Sequence, residues 1–178
     1  MKTVIALSAL VASTLAQSGY FGVMSTRSAS PVHFRTLTAR GGKFFLGGGP
    51  PSSYCPPEVG DACPSGNSTV LAGGVGTLSL GVVVPGGQQV YVAPDGTLSY
   101  TAPHSAWKPD GSVVDGWNKT EGENFGNLAF EGGLVACPAA QGQGYQVFGQ
   151  IEGFETGPDC LGFNSLTINA TEAGAWEY

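Results

Sequence analysis

Apolar and polar residues alternate in short runs along this chain, and glycine, proline or asparagine closes each run. Leu78 and Leu80 alternate with Thr77 and Ser79. Leu98 and Tyr100 alternate with Thr97 and Ser99. Leu128 and Phe130 flank Ala129, and Leu166 and Ile168 alternate with Ser165 and Thr167. A period of two places the large residues of each run on one face, which predicts half-buried strands. No heptad and no helical stripe competes with that pattern, and 29 glycines in 178 residues supply the turns. Pro94-Asp95-Gly96, between Gln89–Val92 and Thr97–Tyr100, is the clearest hairpin signal.

Three stretches resemble one another. Each opens on a Gly-led strand, passes to a second strand and reaches a glycine turn. They start near Gly22, Gly76 and Gly126, a spacing of about fifty residues that suggests an internal repeat. Three such units closed into one barrel would remove exposed sheet edges. The expected fold is therefore all-β, a single compact β-trefoil-like barrel with three pseudo-repeats. A two-sheet antiparallel β-sandwich is the alternative. Two stretches read as long irregular loops, Gly47 to Ser68 and Pro103 to Asn124.

The N-terminus reads as a secretory leader. Lys2 precedes an apolar run from Val4 to Ala12 that is too short to span a bilayer. Thr14 and Ala16 fit a cleavage site that would leave Gln17 as the first residue. Residues 1–16 are thus expected to be a signal peptide and 17–178 a single all-β domain, expected to be monomeric. No membrane anchor is expected. Asn67, Asn118 and Asn169 each open an N-glycosylation sequon, which suits a secreted, turn-rich chain.

Cysteines Cys55, Cys63, Cys137 and Cys160 permit three pairings. Cys55–Cys63 and Cys137–Cys160 close short loops and are favoured; a long-range tie from the first pair to Cys137 or Cys160 is the rival. Zinc is disfavoured, because no C-x-x-C pair occurs, His33 and His104 are isolated, and the compartment is oxidising. No metal or other cofactor is expected. Charged residues make up 11% of the chain, against about 25% in a typical domain, and the net charge is −6. Without a basic cluster, nucleic acid is not an expected partner.

Catalytic residues are not expected. Only His33 and His104 offer an imidazole base, and no G-x-S-x-G elbow accompanies them. Glu121, Glu123 and Glu131 are candidate paired carboxylates for glycoside hydrolysis, although acidic residues in Gly-rich loops are usually just solvated. Trp107 and Trp117 are candidate sugar-stacking residues; the competing reading makes them core or loop anchors. Trp176 reads as a core residue.

Several longer motifs point to a family. They are Arg40-Gly-Gly-Lys-Phe-Phe-Leu-Gly-Gly-Gly-Pro50, Tyr54-Cys-Pro-Pro-Glu-Val-Gly-Asp-Ala-Cys-Pro64, Pro85-Gly-Gly-Gln-Gln-Val-Tyr-Val-Ala-Pro-Asp-Gly-Thr-Leu-Ser-Tyr100 and Met24-Ser-Thr-Arg-Ser-Ala-Ser-Pro31. This set closely resembles the phialide cell-wall protein family of filamentous fungi, PhiA, from about Phe21 to Gly149. The resemblance implies a secreted glycoprotein of the fungal cell wall, needed for phialide and conidium development, with a stress-protective role and antigenic members. It brings no catalytic residues. The implied partners are wall polysaccharide (glucan or chitin) or other wall proteins. A polysaccharide-binding module acting in solution and a secreted glycoside hydrolase are the rival functions.

Overall fold

The computed structural model describes residues 19–178; the signal peptide read over residues 1–16 lies outside them. The strands are β1 (Tyr20–Thr26), β2 (Leu37–Arg40), β3 (Lys43–Leu46), β4 (Leu71–Leu80), β5 (Val90–Val92), β6 (Leu98–Tyr100), β7 (Trp117–Thr120), β8 (Gly126–Phe130), β9 (Leu134–Pro138), β10 (Tyr145–Gly149) and β11 (Leu161–Ala170). Among the described residues the helical content is one 3-10 segment, Pro57–Ala62. No helix among them is long and apolar enough to cross a membrane.

The strands form one antiparallel sheet in the order β1-β4-β7-β8-β11-β9-β10-β3-β6-β5, with β2 on the flank of β3. β1 also pairs with β11, so the path through β4, β7 and β8 returns to its start. The sheet therefore curls strongly, as a half-barrel, around a core that includes Phe21, Phe44, Leu78, Leu98, Trp117 and Val147. The sheet is single, so the two-sheet sandwich does not describe it.

Local chemistry explains the tightest turns. In the β5–β6 hairpin, Val92 faces Leu98, and the Thr97 N–H donates to Asp95 Oδ1 at 3.0 Å. Gly96 takes the left-handed conformation there, at φ 80°. The β2–β3 hairpin turns on Gly41 and Gly42, with φ of 58° and 76°, as a two-residue turn with both centres at positive φ requires.

The threefold repeat is not confirmed by the pairing. The first two units each run as a strand followed by a hairpin, β1 then β2–β3 and β4 then β5–β6. In the third, β9 intervenes between β8 and β10 and forms its own hairpin with β10. After the turn at Gly153 no strand follows until β11.

β11 also differs from its sequence pattern. Over its second half the large residues face outward: Ile168 is 41% exposed, whereas Ser165 and Thr167 are buried. Residues opposite each other in a sheet share a face. Val23 and Ser25 of β1 face inward, and they pair with Thr167 and Ser165. Val23 and Leu128 supply the bulk opposite Thr167 and Ser165, whereas Leu161 and Phe163 at the start of β11 pack against the core themselves.

Candidate functional site

A depression of about 410 Å³ opens where segments distant in the chain meet. Tyr91 of β5 and Tyr100 of β6 form its floor. The Gly41-Gly42 turn, Ser52, Tyr178 and the loop from Thr101 to Trp107 form its rim. The Tyr100 hydroxyl accepts from the Gly42 N–H at 3.1 Å, and Phe44 packs edge-on against the Tyr100 ring at 5.4 Å. Tyr178 is anchored by buried Gln88, whose Nε2 donates to the Tyr178 carbonyl while Oε1 accepts from the Tyr178 N–H, both at 2.8 Å. The Tyr178 hydroxyl accepts from the Val70 N–H and donates to the Ser68 carbonyl.

Trp107 stands on the rim, 73% exposed. Its loop is held by short-range bonds. The Ser105 N–H donates to the Ala102 carbonyl, and the Trp107 N–H donates to Ser105 Oγ at 3.1 Å. Between them His104 sits at φ 57°, a conformation that costs free energy for a residue with a Cβ and often accompanies functional loops.

No carboxylate, imidazole, ammonium or guanidinium lines this groove. Two of its tyrosines are held towards the neutral form. Burial raises the Tyr100 hydroxyl pKa, opposed by the Gly42 N–H bond. Tyr178 is pushed up to about 12, first by burial, with the Val70 N–H bond opposing and Tyr100 adding to the rise. An uncharged groove with an exposed indole suits the apolar face of a sugar ring.

A second, smaller depression lies beside the first along the chain. Ser53, Tyr54, Cys55, Pro64, Ser65 and Gly66 line it on one side, and Ala175 and Trp176 on the other. Two hydrogen bonds join its walls: Tyr54 N–H to the Glu177 carbonyl at 3.0 Å, and Glu177 N–H to the Tyr54 carbonyl at 3.2 Å.

Of the other candidate residues, Trp117, Asn118 and Glu131 lie together along a separate depression of about 410 Å³. Trp117 is corrected as a sugar contact: it is 3% exposed, on β7, with its ring 5.0 Å from Phe130, so it offers no free face. Trp176 is half-buried. Glu121, Glu123 and Glu131 are exposed, and Glu121 pairs with Lys119. His33 stacks on Phe34 at 3.8 Å and accepts from the Arg27 N–H through Nδ1. No group of three or more His, Cys, Asp or Glu residues able to hold a metal occurs among the described residues. Cysteines are joined as Cys55–Cys63 and Cys137–Cys160. Asn67, Asn118 and Asn169 are all exposed. Tyr91, Tyr100, Tyr178 and Ser52 carry no local signal for a site; only the curl of the sheet assembles them.

Residues 21–178 match the sequence profile of a family described as PhiA-like secreted protein. The chain belongs to this family. PhiA-like relatives include an "Uncharacterized secreted protein" of Arthroderma benhamiae, 41% identical over 153 residues, which covers 80% of this chain and 76% of that protein. No solved structure matches the chain. The PhiA-like match extends past Gly149, where the motif resemblance stops, to Tyr178 on the groove rim.

Proposed function

We propose that this PhiA-like protein is a non-catalytic structural glycoprotein of the fungal cell wall, held there by wall polysaccharide and acting in phialide and conidium development. The observation that carries the reading is the character of the groove at Trp107: aromatic, with no Asp, Glu, His, Lys or Arg side chain in its lining. Exposure of all three sequon asparagines supports glycan-bearing surfaces. The motif resemblance supports the developmental and stress-protective roles. The two complete strand–hairpin units also support a trefoil-like plan in which the third unit has diverged.

Sequential extraction of walls with water, detergent, reductant and glucanase tests retention. The protein is expected to persist until glucanase treatment, and full release by water overturns the reading. Disruption of the gene is expected to lower conidium counts, and unchanged counts would remove the developmental part.

A further inference from the structure

The two depressions are lined by adjoining stretches of the chain. Ser52 and Tyr178 line the first, and their near neighbours in the chain, Ser53, Tyr54 and Trp176, line the second. The paired hydrogen bonds between Tyr54 and Glu177 hold these two stretches together. The Cys55–Cys63 bond clamps the outer side of the second depression. Each carries an exposed aromatic ring, Trp107 at 73% in the first and Tyr54 at 56% in the second.

We propose that the two depressions are consecutive subsites of one binding site for a linear β-glucan chain, with Trp107 and Tyr54 as its stacking platforms. This inference rests on the wall reading and names its ligand. Three features select the ligand. Neither lining contains a charged side chain, and the whole chain carries a net charge of −6, so an anionic polymer is disfavoured. An equatorially linked glucose ring presents axial C–H bonds on its faces, which match an exposed aromatic plane. The exposed polar side chains include hydroxyls, Ser52 in the first lining and Ser53 and Ser65 in the second. Hydroxyls suit glucose, whereas the acetamide of chitin calls for a shaped amide pocket. Gln88, the buried amide nearby, is already engaged with Thr101 and Tyr178.

Length dependence tests the proposal. The secreted, glycosylated protein is titrated with β-1,3-glucan oligosaccharides of two to six units by calorimetry, with chito-oligosaccharides and a carboxylated glycan in parallel. Affinity is expected to rise with glucan length. Trp107→Ala is expected to weaken every glucan about tenfold or more. Tyr54→Ala is expected to weaken the longer oligosaccharides and leave the disaccharide unchanged. Both side chains are exposed, so unaltered thermal unfolding of the variants confirms that the fold is intact. Equal affinity at all lengths, no effect of Trp107→Ala, or preference for chitin or the anionic glycan would overturn it. Wall fractionation separates the two readings. Retention in the wall with no glucan affinity defeats the subsite inference alone, whereas release of the natural protein by water defeats the wall reading itself.

Discussion

Trp107 and Trp117 come from one stretch of sequence, with the same residue type and similar Gly- and Pro-rich surroundings, yet they do opposite work. The segment around Trp107 keeps its backbone bonds local and leaves the indole in solvent. Trp117 begins β7, where Asn118 pairs with Ala129 and Val75 on its two sides, and the indole is driven into the core beside Phe130. The difference lies in pairing. A tryptophan whose backbone is in a ladder must place its side chain on one face of the sheet, and here that face is the interior. One whose backbone bonds only to itself is free to serve the surface.

The largest expected contrast is thermodynamic. Trp117→Ala should cost about 3–5 kcal/mol in urea unfolding, through lost burial and a residual cavity. A cost below about 1 kcal/mol would show that the β7–β8 hairpin is peripheral. The two disulfides extend the comparison between a tie within the sheet and a staple on a loop. Cys137–Cys160 spans 23 residues and joins the end of β9 to the entry of β11; Cys55–Cys63 spans 8 and lies outside the strands. Chain-entropy reasoning assigns about 3.4 kcal/mol to the first and about 2.5 kcal/mol to the second. Paired Cys→Ser variants should therefore differ in midpoint, with the 137–160 variant the weaker, and the reverse order would mean that the loop is integral to the core.

A smaller effect is expected at high pH. The Tyr178 pKa in the folded protein is raised to about 12, above the ordinary tyrosine value of 10.0. Between those values the unfolded chain gives up the proton and the folded one keeps it. Stability is thus whole below pH 10 and falls as pH rises towards 12. Tyr178→Phe should flatten that decline while lowering stability at neutral pH by about 1 kcal/mol through lost hydrogen bonds. An unchanged alkaline slope would place the titrating group elsewhere. Least of all, Trp107→Ala should shift stability by under about 0.5 kcal/mol while abolishing retention on insoluble β-glucan. A large stability loss would make this loop a second anchor like Trp117.

Strands, hairpins and the short-loop cysteine pairing were legible because each is written in neighbouring residues. The Pro94–Gly96 turn and the alternation in β8 need nothing beyond their own segments. β11 shows the limit. Its alternation was visible, but which face points inward depends on its pairing with β1 and on the volume already taken by Val23 and Leu128. The candidate site was half visible for the same reason. Trp107 stands out as a tryptophan in a loop, whereas Ser52 and Tyr178 gain meaning only where the curled sheet brings their segments beside Tyr91 and Tyr100. The opposed fates of Trp107 and Trp117 could not be separated until β7 was known to be a strand.

The ring closed by Cys55 and Cys63 has a mechanical consequence. This stretch is largely solvent-exposed and lies outside the sheet's ladders, the kind of segment that secreted proteases cut readily. A cut anywhere between the two cysteines leaves the flanking chains covalently joined through sulfur. Tyr54 on one side and the run from Pro64 into β4 on the other would stay tethered after such a nick. At this exposed segment a single cleavage therefore does not sever the molecule.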